Sequence, residues 1–214
     1  VINPKTGWAD GRHQNRKWEN NLDLVHRKSY ITEGATCHYT WYVPQNVEGL
    51  FQVINNSGQN VITRLDRMFD EGLYWHGNEP CHQIAYLYNK AGAPWKTQQR
   101  IHHILNTEYN DTPGGLSGND DAGQMSAWYM FSAIGFYPVC PATPYYYIGT
   151  PSFDKVTFNL ENGRKFEIVA EGVDDQKFYI QQGDPKGKSG DHLSHEYLLK
   201  RRKLAFRMRT APKN

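Results

Sequence analysis

Gly135-Phe136-Tyr137-Pro138-Val139-Cys140-Pro141 is where this chain changes its period. Before it, Ala122 to Ile134 reads as a helix that Gly135 and Pro138 stop. After it, Val156, Phe158 and Leu160 alternate, Asn162-Gly163 supplies a hairpin turn, and Phe166 and Ile168 alternate on the return. Phe178 and Ile180 predict a third strand, and Leu204, Phe206 and Met208 a fourth. A repeat of 3.6 residues gives way to a repeat of two, so helices precede a small antiparallel sheet.

The helical half extends back to about residue 44. Pro44 opens one helix ahead of Leu50, Phe51, Val53 and Ile54. Past Ser57-Gly58, the residues Val61, Ile62, Leu65, Met68 and Phe69 fall on one helical face. Pro80 leads a further run through Ile84, Ala85, Leu87 and Tyr88 to Gly92, and Pro94 leads one with Trp95, Gln98, Ile101 and Leu105. Short connections pair these helices as α/α hairpins. The first 30 or so residues carry few apolar groups and read as irregular. The fold class is therefore mainly α with a small β part. About five helices do not close on themselves, so their apolar faces call for more protein than this chain supplies.

Composition narrows the rest. The 214 residues are only 38% hydrophobic, yet six Trp, fourteen Tyr and nine Phe give bulky core material and exclude a disordered chain. No apolar run approaches the ~20 residues of a membrane span. Three cysteines, Cys37, Cys81 and Cys140, are too scattered for a disulfide scaffold. Residues 181–214 hold nine Lys/Arg against three Asp/Glu. The run Lys200-Arg201-Arg202-Lys203 adjoins Leu204, Phe206 and Met208, which makes it a strand flank and not a nucleic-acid site. The chain begins at Val1, so an upstream segment is expected to have been removed or left out.

Four polar clusters interrupt the elements. They are Tyr30 to Gly34 with His38-Tyr39-Thr40-Trp41; Tyr74-Trp75-His76-Gly77-Asn78-Glu79-Pro80-Cys81-His82; Trp95-Lys96-Thr97-Gln98; and Gly114 to Met125 with Asn119-Asp120-Asp121. Carboxylates among Trp, Tyr, His and Asn suit a sugar, whose apolar face stacks on aromatic rings while its hydroxyls take amides and carboxylates. Glycoside hydrolysis needs one protonated acid and one carboxylate, and Glu33, Glu79, Asp120 and Asp121 are candidates. Plainer readings stand beside this one. Asn119 or Asp120 suits a helix cap, Glu79 a helix N-terminus, and His76, Cys81 and His82 are zinc ligands by type without a zinc spacing.

The motifs Trp75-His76-Gly77-Asn78-Glu79-Pro80, Pro94-Trp95-Lys96-Thr97-Gln98, Gly118-Asn119-Asp120-Asp121-Ala122-Gly123-Gln124-Met125-Ser126-Ala127-Trp128 and Glu33-Gly34 with Tyr39-x-Trp41 resemble glycoside hydrolase family 92. Family members commonly carry Asn and Trp where this chain has Ala35 and Cys37. The resemblance implies a calcium-dependent, inverting exo-α-mannosidase, many members acting on α-1,2 linkages of mannose-containing glycans. It implies an incomplete (α/α)6 toroid segment over residues 1–150 and a small antiparallel β extension over 151–214. An N-terminal β-sandwich and the other half of the barrel are missing and would come from elsewhere. By the family pattern Glu33 is the general acid and Asp121 the general base, with Asp120 beside it. Trp75, His76, Asn119 and Trp41 would bind substrate, and Asn78 and Glu79 would approach Ca2+. Family members point to a secreted or periplasmic location. The competing expectation is a non-catalytic structural or carbohydrate-binding subunit of the same descent.

Overall fold

The computed structural model describes residues 1–19, 22–183 and 192–212. They divide into two compact units, Val1–Ile84 and Ala85–Asn214.

In the first unit the described part of the N-terminal stretch is irregular, crossed by the isolated bridges Ile2–Ala9 and Arg12–Trp18. Helices α1 (Thr36–Tyr39), α2 (Val47–Asn56) and α3 (Val61–Asp70) follow, with a 3-10 turn at Pro44–Asn46. The side-chain oxygens of Asn46 and Asn60 cap α2 and α3, accepting from Gly49 N at 2.9 Å and Thr63 N at 3.0 Å. Helix α3 buries Val61, Leu65 and Met68, the face its period predicts. Arg64 is buried between them. Its guanidinium donates to Gly7 O at 2.7 Å and Thr6 O at 2.8 Å, and lies 4.3 Å from the Trp8 ring centroid. Burial lowers its pKa to about 10, so it stays a cation at neutral pH and pins the otherwise irregular N-terminal stretch.

The helix expected from Pro80 to Gly92 is instead broken into 3-10 turns at Glu79–Cys81 and Ile84–Tyr86 and a single turn, α4 (Leu87–Lys90). Residues 81–89 are all buried. A segment without a solvent face carries no amphipathic period from which its geometry could be read.

The second unit continues with α5 (Pro94–Thr107) and α6 (Gln124–Ile134). Gly135 ends α6 at φ 112°, where a Cβ would also stand 2.8 Å from Pro151. The strands are β1 (Phe136–Tyr137), β2 (Tyr145–Ile148), β3 (Lys155–Asn159), β4 (Lys165–Glu171), β5 (Tyr179–Gly183), β6 (His192–Ser194) and β7 (Lys203–Arg209), with α7 (His195–Lys200) before the last. They form a three-stranded sheet, β1-β2-β6, and a four-stranded one, β3-β4-β7-β5. The basic run closes α7 and opens β7, as a strand flank.

Among the described residues helix exceeds strand, at about 34% against 19%. The four predicted strands are those of the larger sheet, but that sheet is mixed. β3–β4 and β5–β7 pair antiparallel, whereas β4 and β7 run parallel, with Ile168 opposite Leu204 and Ala170 opposite Phe206. Side chains alternate with a period of two in either direction, so the sequence pattern could not distinguish the two. The core of this unit joins Phe166, Ile168 and Ala170 of β4 to Leu204, Phe206 and Met208 of β7, with Phe136, Ile148 and Leu193 of the smaller sheet. Gln98 on α5 accepts from Ile180 N at 2.9 Å and ties that helix to β5.

Candidate active site

Within the first unit, Glu33 is exposed and has φ 65°, a left-handed conformation that few residues with a side chain adopt. Gly34 N donates back to Thr32 O at 3.0 Å, closing a three-residue turn with Glu33 at its centre. The Tyr39 hydroxyl donates to the same Thr32 carbonyl. Ala35 N donates to His38 Nδ1 at 3.0 Å, so Nε2 carries the proton and donates to Leu73 O at 2.8 Å. His38 is buried, and burial lowers its pKa and keeps the ring neutral. Gly34 allows close packing here, because a Cβ would stand 2.9 Å from both His38 Nδ1 and the Tyr39 ring and 3.3 Å from Asn78 Nδ2. The chain thus brings the Glu33 turn and Asn78 together, two clusters that the sequence presents separately.

The loop after α3 is anchored by Tyr74 N donating to Met68 O at 2.6 Å and by the Tyr74 ring stacking on Phe69 at 4.7 Å. Trp75 is 43% exposed, while His76 and Trp41 are each 1% exposed. Of these three, Trp75 alone offers a ring to a ligand from the surface of its own unit. Tyr74 Oη and His76 Nδ1 lie 2.7 Å apart, and His82 Nε2 donates to His76 O at 3.0 Å. Burial pushes the pKa of His76 down to about 2 and that of His82 to about 4, and Cys81 up to about 12. The zinc reading of His76, Cys81 and His82 fails on this geometry. Among the described residues no group of three or more His, Cys, Asp or Glu is placed to hold a metal, and the His82 Nε2 is committed to a backbone carbonyl.

Oxygen donors lie in the same loop. Asn78 is 2% exposed, and neither its Oδ1 nor its Nδ2 has a hydrogen-bond partner among the described residues. A buried amide left so is costly unless a ligand meets it. Its carbonyl oxygen and the carboxylate of Glu79 are the donor types that calcium prefers. The Trp41 indole N–H is likewise buried without a partner among the described residues.

The second unit holds the other cluster. Asp120 O accepts from Gly123 N at 3.1 Å and Gln124 N at 2.7 Å, while its Oδ1 accepts from Ser126 N at 2.9 Å and Ser126 Oγ at 3.0 Å. Asp121, Ala122 and Gly123 then take φ 43°, 60° and 92° in succession, which is why α6 begins at Gln124 and not at Ala122 as its composition suggests. Asp121 and Asn119 are exposed. The turn is backed by the Tyr109 hydroxyl, which donates to Met125 O at 3.1 Å, and by Gln124 Nε2, which donates to Tyr137 Oη at 3.2 Å. Asp120 therefore bonds the first turn of the helix, and Asp121 is exposed. No local pattern marks Ser126 as the partner of Asp120. Its spacing of six from Asp120 lies outside the usual cap spacings of two and three.

The pattern described as the glycosyl hydrolase family 92 catalytic domain matches residues 1–210. This chain belongs to glycosyl hydrolase family 92. Among solved structures, a family 92 α-mannosidase from Bacteroides thetaiotaomicron is 41% identical and superposes with a TM-score of 0.89, over 99% of this family 92 chain and 30% of that one. A family 92 inverting mannosidase from Bacteroides thetaiotaomicron VPI-5482 is 32% identical with a TM-score of 0.87, over 99% of this chain and 32% of that one. An uncharacterized secreted glycosidase of Arthroderma benhamiae is 30% identical over 164 residues, which are 74% of this chain and 21% of that protein. The family 92 chain thus spans between a fifth and a third of the length of these relatives.

Proposed function

We propose that this family 92 chain acts in the inverting, exo-type hydrolysis of α-mannosides, with α-1,2-linked mannose as substrate. Glu33 is the general acid that protonates the leaving oxygen, and Asp121 is the general base that takes a proton from the attacking water. The observation that carries this reading is conformational. Both carboxylates sit at positive φ, at 65° and 43°, in turns that the surrounding hydrogen bonds hold in place. Strain of this kind costs about 1–3 kcal/mol per residue and concentrates where function requires it. Family membership supplies the reaction class.

The exposed face of Trp75 would stack on a pyranose, with Asn119 taking a hydroxyl. Trp41 and His76 would support the sugar contacts from within. Asn78 and Glu79 would hold calcium, which when bound orients sugar hydroxyls and eases distortion of the ring. Residues 1–150 would be the C-terminal part of an (α/α)6 barrel and 151–214 its β extension, completed by an N-terminal β-sandwich on further polypeptide. We place the reaction outside the cytoplasm, in keeping with the secreted relative.

The test is mannose release from an α-1,2-mannobioside by this chain together with all the polypeptide it needs, with the product anomer followed by NMR. Turnover with inversion that disappears in Glu33→Gln and Asp121→Asn supports the reading. Its rival is a non-catalytic structural or carbohydrate-binding subunit of the same descent. That rival predicts no turnover under any condition.

A further inference from the structure

We infer that His38 is a positioning residue for Glu33, a role that rests on the proposed general-acid function of Glu33. The imidazole is bonded at both nitrogens and to two distant parts of the chain. Nδ1 accepts from Ala35 N at 3.0 Å, two residues after Glu33, and Nε2 donates to Leu73 O at 2.8 Å, two residues before Trp75. One buried ring therefore joins the turn that carries the acid to the loop that carries Trp75, Asn78 and Glu79. The His38 and Trp75 ring centroids lie 6.2 Å apart.

The bond to Ala35 matters because the Glu33 turn is strained. A residue at φ 65° with a single turn bond from Gly34 to Thr32 would relax if the backbone beyond it were free. His38 takes the next backbone N–H, and the Tyr39 hydroxyl takes the Thr32 carbonyl from the other side. No carboxylate or cation of these segments is bonded to the ring. A neutral imidazole is the side chain that accepts at one nitrogen and donates at the opposite one, so it bridges an N–H and a carbonyl that face each other across it. Displacement of a reacting group by about 1 Å costs on the order of a hundredfold in rate.

Leaving-group dependence reads the position of an acid. An alkyl α-mannoside needs a proton on its departing oxygen, whereas a dinitrophenyl α-mannoside departs without one. In the protein with every chain it needs for turnover, His38→Ala is expected to lower kcat on the alkyl substrate by about 10²-fold, and on the dinitrophenyl substrate by no more than about threefold, with KM little changed. Glu33→Gln, measured alongside, must show the same selective loss if Glu33 is the acid. If Glu33→Gln slows both substrates equally, the acid assignment falls. If Glu33→Gln is selective but His38→Ala slows both substrates alike, or neither, His38 is only structural and the present inference is overturned. Should His38→Ala fail to fold, His38→Phe is read in the same way, because it keeps a buried ring of similar shape and makes neither bond.

Discussion

The carboxylate of Asp120 receives both the backbone N–H and the hydroxyl of Ser126, at 2.9 and 3.0 Å, across six residues of chain. Two adjacent aspartates thereby differ in their contacts. Asp120 holds the start of α6, and the left-handed run 121–123 turns Asp121 out to solvent. Asp120→Ala, which removes both bonds, is expected to destabilise the protein by about 1 kcal/mol, the usual worth of a cap. Urea unfolding checks it, and an unchanged midpoint would show the contact to be idle.

Asp121 carries the converse prediction. At φ 43° it pays a conformational cost that glycine does not. Asp121→Gly should therefore keep or raise stability, by up to about 1 kcal/mol, while abolishing mannoside hydrolysis. A variant that lost stability, or that kept its turnover, would remove the argument that strain is maintained here for function.

Arg64 gives a structural prediction. Arg64→Ala leaves the Gly7 and Thr6 carbonyls without their donor and Trp8 without its cation. A loss of about 3 kcal/mol is expected, because hydrogen bonds from a charged donor are worth about 1.5–3 kcal/mol each and part is recovered by water. Arg64→Lys should rescue little of it, since an ammonium cannot present two parallel donors at that geometry. Thermal melting with proteolysis of residues 1–19 would show whether the N-terminal stretch detaches first.

The pH dependence follows from His82. Its folded-state pKa is about 4, against 6.5 in an exposed chain, and burial is the first cause. Between those values the unfolded chain binds a proton that the folded one refuses. Its contribution is thus fully present above pH 6.5, declines as the pH falls to about 4, and is level below that. His82→Gln retains a donor for His76 O and cannot titrate, so its stability should fall less steeply over the same interval. Parallel curves for the two proteins would contradict the assignment.

Calcium binding is expected to depend on Asn78. Asn78→Ala should weaken it by about 10–100-fold, the loss produced even by outer-shell changes at metal sites. Calorimetric titration with Ca2+ reads this without any turnover, and EDTA should abolish mannose release by the wild type. Equal calcium affinity in the variant, or full activity in EDTA, would remove Asn78 and Glu79 from a metal role.

The sequence by itself determined most local elements. Periodicity located α2, α3 and α5, because each has one wet and one dry face, Gly135 and Pro138 marked the end of α6, and alternation with Asn162-Gly163 located β3 and β4. Resemblance of whole motifs named the family, since Gly118 to Trp128 is long and specific. Tertiary structure alone decided three things. The parallel pairing of β4 and β7 joins strands more than thirty residues apart, and no local pattern encodes the direction of a partner. The broken backbone between Glu79 and Lys90 follows from burial on every side, which erases the amphipathic signal. The contacts inside each unit, in which Asp120 binds Ser126 in the second and, in the first, His38 bridges Ala35 to Leu73 and Asn78 packs on Gly34, depend on where folded segments meet. A sequence states which groups can donate and accept hydrogen bonds; only the fold selects which of them come within 3 Å.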